Sequence, residues 1–114
     1  MQFRGLTVLL LAALALAIPT SAAASVRLVG VTSPVRPGAD ATLTVRVTPA
    51  RSCAITVLYK SGPSRAQGLV PKRPVSGKVS WTWMVGTRTT PGRWPIVVSC
   101  GTAGTLRTSF VVAR

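Results

Sequence analysis

Apolar and polar residues alternate along most of the chain after residue 25, and this period of two most restricts the possible fold. In residues 41–48, Ala, Leu and Val at odd positions alternate with Thr and Arg at even positions. Successive strand side chains point to opposite faces of a sheet, so this segment is predicted to be a half-buried strand. Proline- and glycine-rich turns separate it from further predicted strands at 26–31, 53–60, 78–85, 94–100 and 106–112. Because no helical period follows residue 25, we expect an all-β, antiparallel β-sandwich of about six to seven strands.

The first 24 residues have the order of a cleavable secretory signal peptide. Arg4 gives a basic start, residues 6–18 are apolar apart from Thr7, and small residues lead up to Ala24. A membrane-spanning helix needs about 20 apolar residues, and Pro19 interrupts the run before that length. We therefore expect cleavage after Ala24 or nearby and a single exported domain at 25–114, without a membrane span in the mature form. Retention as a membrane anchor is the alternative.

Two cysteines, Cys53 and Cys100, occur in the chain, and both lie in the part predicted to be exported. In an oxidising compartment, two such cysteines are expected to form one disulfide. Two free buried thiols are the alternative. A redox-active pair is disfavoured because the spacing is not C-x-x-C. A domain of this size buries a modest fraction of its surface, so we expect the disulfide to support the fold.

The composition excludes most catalytic chemistry. The sequence contains no His and no Glu, and Asp40 is its one carboxylate side chain. Acid–base catalysis needs a positioned proton donor or acceptor, and a calcium site needs several carboxylate or carbonyl oxygens. Asp40 follows the turn at Pro37 and Gly38, where such a side chain commonly caps backbone N–H groups. We therefore expect no catalytic residue, no metal site and no cofactor.

Positive charge is the least ordinary feature of the composition. Fourteen Lys and Arg residues face one acidic residue, which gives a formal net charge of +13. Without carboxylate partners these charges must be solvated or meet an external anion. We predict that a long loop lets five of them converge as candidate anion-binding residues: Lys60, Arg65, Lys72, Arg73 and Lys78. Strand arginines such as Arg46 and Arg107 are expected to be spread over outer faces and to matter less.

The aromatic side chains allow two interpretations. Trp81 and Trp83 share their parity with Val79 and Val85. Because residues of one parity share a sheet face, we expect both indoles to point into the core. The alternative is that one of them faces a sugar or a lipid at the edge of the sandwich. An RNA-binding motif and a recognition helix are both missing, so we expect no sequence-specific nucleic-acid binding.

Several short motifs occur in a recognisable order over most of residues 26–112. They are Ser33-Pro34, Pro37-Gly38, 59–64, Gly68-Leu69, Pro71-Lys72, 77–83, Val85-Gly86, 90–92 and 94–101. This ordered set resembles the bacterial extracytoplasmic immunoglobulin-like (Ig-like) domains of secreted and surface proteins. The resemblance implies an Ig-like β-sandwich and an exported location, and it implies no catalytic residue. In an Ig-like strand order, the strand opened by Cys53 and the strand closed by Cys100 are antiparallel neighbours in one sheet.

The sequence therefore predicts a secreted, monomeric and non-catalytic Ig-like binding or structural module at the bacterial cell exterior. Its partner would be an unidentified protein or an anionic envelope polymer. The alternative function is polyanion binding through the basic surface, with a cell-wall polymer, an anionic lipid or extracellular nucleic acid as the ligand. A purely solubilising role for the charge is also open. The salt dependence of binding distinguishes these alternatives, because the affinity for a polyanion falls steeply as ionic strength rises, through counterion release.

Overall fold

The structure, a computed structural model, describes residues 23–114. The predicted signal peptide at 1–24 therefore lies almost wholly outside the described residues and stays a prediction. The described residues form seven strands and one short 3-10 helix at Gly101–Ala103. The strands are β1 (Ser25–Val31), β2 (Asp40–Thr48), β3 (Ala54–Tyr59), β4 (Gly62–Pro63), β5 (Lys78–Met84), β6 (Gly92–Ser99) and β7 (Thr105–Val112).

The strands form two antiparallel sheets, which confirms the predicted all-β antiparallel sandwich. One sheet has three strands in the order β1-β2-β5, and the other has four in the order β4-β3-β6-β7. The segment after β1 crosses from the first sheet to the second. There the Val35 N–H donates to the Val111 carbonyl at 2.9 Å, and the Ala113 N–H donates to the Val35 carbonyl at 2.9 Å. This crossing covers the C-terminal end of the outer edge of β7.

The core lies between the sheets and is built from alternate residues of each strand. Trp81 is fully buried and Trp83 is 1% exposed, so both indoles point inward as predicted. The Trp81 indole N–H donates to the Val70 carbonyl at 2.8 Å. The Trp83 ring meets the Phe110 ring edge to face, with centroids 5.7 Å apart. Neither indole is available as an exposed sugar platform.

Residues 64–77 run beside β5 and close the side of the sandwich. Besides the Trp81 bond, the Lys72 backbone pairs with Cys53 through two hydrogen bonds of 2.8 and 2.9 Å. The segment ends in a tight turn, in which Ser76 and Gly77 have φ values of 51° and 78°. Positive φ at both central residues characterises the turn that best joins two twisted strands. The segment thus shields the edge of β5 from pairing with another chain.

The structure contains the predicted disulfide between Cys53 and Cys100, whose Cα atoms are 4.1 Å apart. Cys53 directly precedes β3 and Cys100 directly follows β6, next to the paired residues Ala54 and Ser99. Both sulfur-bearing residues are fully buried. The bond therefore joins neighbouring antiparallel strands of one sheet, as predicted.

Removing the disulfide should destabilise the domain. We expect the double variant Cys53→Ala/Cys100→Ala to lose about 4 kcal/mol of unfolding free energy, because the cross-link closes a long loop in the unfolded chain. The two cysteines are 47 residues apart. Urea denaturation of residues 25–114 measures the loss. An unchanged urea midpoint would contradict the stabilising role, and two labelled thiols in the unfolded wild type would contradict the bond itself.

The packing of residues 64–77 against β5 is testable at Gly68. Gly68 and Gly77 both have positive φ, at 95° and 78°, so a side chain strains either position. A Cβ at Gly68 would also overlap the Thr82 carbonyl oxygen, whereas a Cβ at Gly77 meets nothing within 4 Å. We expect Gly68→Ala to cost at least about 1 kcal/mol more than Gly77→Ala in urea denaturation. Equal costs would show that the segment does not lie against β5.

Candidate functional site

Three cations lie side by side on the outer face of the three-stranded sheet. Arg27 on β1 is the cross-strand partner of Arg46 on β2, and Arg46 is the partner of Lys78 on β5. All three side chains are exposed. Residues directly opposite each other share a sheet face, and neighbouring strands are about 4.8 Å apart. These three residues, the cationic row, therefore span about 10 Å across the sheet.

Hydroxyl groups continue this face beyond the cationic row. The Thr44 and Ser80 hydroxyl oxygens are 2.6 Å apart, and those of Thr42 and Thr82 are 2.8 Å apart. Each pair bridges β2 and β5 through a hydrogen bond between their hydroxyls. Each hydroxyl also has lone pairs and thus further capacity to bond a polar ligand. The face therefore offers a continuous array of charged and hydroxyl groups.

Asp40 is too far away to neutralise the cationic row. It pairs with Met84 at the opposite end of β2 and β5 from Arg46 and Lys78. Six residues of strand separate the two ends, which is about 20 Å. The Debye length at physiological ionic strength is about 8 Å, so Asp40 is screened from the row. Because Asp40 is the one carboxylate side chain in the sequence, no carboxylate side chain of the domain neutralises the row.

Of the five predicted anion-binding residues, Lys72, Arg73 and Lys78 lie along one margin of this face. The Lys72 ammonium group donates to the Ser80 carbonyl at 2.8 Å, which places it at the edge of β5. Arg73 is the next residue along the chain. Lys78 begins β5 and belongs to the cationic row. Lys72 therefore extends the positive charge of the row along the edge of the sheet.

Lys60 and Arg65 do not join the other three, so the predicted convergence of all five is wrong. Lys72 pairs with Cys53 at the start of β3, whereas Lys60 follows the last residue of β3. The length of β3 separates these positions by about 20 Å. Arg65 follows Ser64, whose N–H donates to the Val57 carbonyl in the second half of β3. The loop runs along the sandwich instead of folding on itself, which spreads its charges.

The strand arginines are also arranged differently from the prediction. Arg46 is not dispersed but occupies the centre of the cationic row, beside Arg27. Arg107 lies on the other sheet opposite Val97 and has no cation as its direct partner. The alignment of Arg27 with Arg46 follows from the register between β1 and β2, and this register shifts at Leu28–Gly30. An irregularity of this kind hides the alignment from the sequence.

Lys60 lines a cavity of about 570 Å³ at the end of the sandwich opposite the cationic row. Its walls come from the turn after β3 and from the loop between β5 and β6. The polar and aromatic residues that line it are Tyr59, Lys60, Ser61, Arg88, Thr89 and Thr90. The structure thus replaces the single predicted cluster with two positively charged regions.

Neither region has the composition of a metal centre. Within the described part of the chain, no three His, Cys, Asp or Glu side chains are grouped to hold a metal ion. Among residues 23–114, no helix is long and apolar enough to cross a membrane.

No protein-family model matches the chain, and no curated protein matches it in sequence. The Ig-like family assignment therefore stays a prediction. The function has to be inferred from the geometry of the chain itself.

The cationic row should oppose folding through local repulsion. Like charges at directly opposite positions of a sheet are destabilising, so we expect Arg46→Gln to raise the unfolding free energy by about 0.5 kcal/mol at low ionic strength. The gain should disappear near 1 M salt, where the Debye length is about 3 Å. Arg107→Gln is the matched control, because Arg107 faces Val97. An equal, salt-dependent gain in both variants would show that only net charge matters.

Proposed function

We propose that residues 25–114 form a non-catalytic, Ig-like binding module, exported to the bacterial cell exterior, that holds a linear anionic polymer on its three-stranded sheet. The observation that carries the proposal is the register that aligns Arg27, Arg46 and Lys78 in one row. No carboxylate side chain of the domain is near enough to pair with them. The disulfide supports the exported location, because such bonds persist in oxidising compartments.

The energetics of the cationic row favour an external anion. Three like charges in adjacent strands repel each other in the free domain, which costs folding free energy. An anionic polymer that contacts all three residues compensates this repulsion by electrostatic attraction. Its binding also releases the counterions that surround the polymer. The same residues therefore destabilise the free domain slightly and stabilise the bound one.

The shape of the face favours a polymer over a small molecule. The cationic row runs across three strands of an open sheet, and its side chains are exposed. A small ligand on such a surface would stay largely hydrated, since small-molecule sites are concave. A chain with repeated charges meets the row at several points at once, which raises its effective local concentration. The hydroxyls of Thr44 and Ser80 lie beside the row as neutral partners for the polymer backbone.

Neutralising the cationic row should weaken polymer binding more than an equal reduction of charge elsewhere. The test variant is Arg27→Gln/Arg46→Gln/Lys78→Gln, and the probe is heparin, a linear sulfated polymer. We expect binding to weaken at least about tenfold at physiological salt. We also expect the plot of log affinity against log salt concentration to become less steep, with the magnitude of its negative slope smaller by about 2. The reason is that the variant neutralises three fewer charges of the polymer. Titration calorimetry at several salt concentrations measures both quantities.

The matched control is Arg36→Gln/Arg93→Gln/Arg107→Gln, which removes the same charge from other exposed positions. Arg93 and Arg107 lie on the four-stranded sheet, and Arg36 lies in the loop between β1 and β2. This variant should bind heparin within about threefold of the wild type, because it retains the row. Equal weakening in both variants would reject a localised face. Failure of the wild type to bind would reject the polyanion function altogether.

A further inference from the structure

The cavity at the end of the sandwich has walls that are held in place before any ligand arrives. The Tyr59 ring packs edge to face against Trp94 and Phe110, with centroids 6.3 and 6.1 Å away. The Trp83 indole N–H donates to the Tyr59 hydroxyl at 3.2 Å. These interactions fix one wall of the cavity to the core.

The opposite wall is tied to the same aromatic cluster. The Trp94 indole N–H donates to the Thr90 carbonyl at 2.8 Å. The Thr89 N–H donates to the Gly86 carbonyl at 3.0 Å, which closes a tight turn. A preformed cavity gives up less conformational entropy on binding than a mobile loop does.

The cavity combines positive charge, hydroxyls and an aromatic ring. Lys60 and Arg88 come from its two walls and are both exposed. Asp40, the one carboxylate side chain in the sequence, lines a different cavity together with Thr82 and Met84. No acidic side chain of the domain therefore competes for the two cations. A guanidinium group offers paired N–H donors that match the oxygens of a carboxylate or a phosphate.

The remaining lining has the character of a sugar site. Burial raises the pKa of Tyr59 above its ordinary value of 10.0, and the hydrogen bond from Trp83 offsets part of this rise. The ring is therefore neutral at pH 7 and presents no charge that would repel an anion. Ser61, Thr89 and Thr90 supply hydroxyls for polar interactions. The volume of about 570 Å³ lies in the ordinary range for sites that hold one small molecule.

We infer that this cavity binds an anionic pyranose, a six-membered sugar ring that carries a carboxylate or a phosphate group. Lys60 and Arg88 hold the anionic group. Tyr59 forms an apolar wall against the sugar ring, and the three hydroxyl residues bond its hydroxyl groups. A bare anion would leave the aromatic wall without a role, and a neutral sugar would leave the two cations without one. The site is distinct from the cationic row and does not depend on it.

The test is a set of NMR titrations of the ¹⁵N-labelled domain with four probes. D-glucuronate is a pyranose with a carboxylate, and glucose 6-phosphate is a pyranose with a phosphate group. The controls are D-glucose, which has the ring without an anionic group, and inorganic phosphate, which has the anionic group without a ring. We expect both anionic sugars to shift the amide signals of residues 59–61 and 86–90. They should bind at least about tenfold more tightly than either control, since glucose cannot form charge-assisted hydrogen bonds and phosphate has no ring to pack on Tyr59. A response to only one anionic sugar supports the site and identifies the anionic group.

Two double variants locate the site. Lys60→Gln/Arg88→Gln should weaken glucuronate binding at least about tenfold, whereas Arg46→Gln/Lys78→Gln removes the same charge from the cationic row and should leave it unchanged. All four side chains are exposed, so neither variant disturbs the core. Equal weakening in both variants would overturn the location. Glucose or inorganic phosphate binding as tightly as the anionic sugars would overturn the ligand class, and no shift with either anionic sugar would overturn the site. A failure here leaves heparin binding at the cationic row unaffected.

Discussion

The burial of Trp81 and Trp83 between the two sheets determines where much of the charged surface lies. The Trp81 indole N–H donates a hydrogen bond to the Val70 carbonyl, and this bond helps to hold residues 64–77 against β5. Lys72 is thereby placed at the edge of the three-stranded sheet, with its ammonium group on the Ser80 carbonyl. The Trp83 indole bonds the Tyr59 hydroxyl and so fixes one wall of the terminal cavity. The position of Lys72 beside the cationic row and one wall of the terminal cavity thus depend on these two core side chains.

The stability of the sandwich is what allows a cationic row to exist on it. Strand pairing holds Arg27, Arg46 and Lys78 side by side, and the sequence has almost no acid to relieve them. Repulsion of this kind costs a few tenths of a kcal/mol per pair. A buried aromatic core and a disulfide contribute far more than that. The fold therefore tolerates the row because its stability comes from the interior and not from the surface.

Local patterns predicted six of the seven strands, the inward parity of the tryptophans and the disulfide, but not the two-residue strand β4. Each of these follows from side-chain alternation or from cysteine placement, which are visible along the chain. The cationic row was not predicted, because it depends on the register of β1 against β2 and on the irregularity at Leu28–Gly30. The separation of Lys60 from Lys72 was not predicted either. It depends on the path of residues 64–77, which long-range hydrogen bonds to Trp81 and Cys53 determine.

The two positively charged regions act as electrically separate sites. The cationic row contains the first residue of β5, and the terminal cavity lies beyond its last residue, so about 20 Å of strand separates them. This distance exceeds two Debye lengths at physiological ionic strength, which are about 8 Å each. A charge removed at one region therefore changes the potential at the other very little. A ligand long enough to reach both regions would couple them, and a polymer of anionic sugars combines the repeated charge that we propose for the row with the ring that we infer for the cavity.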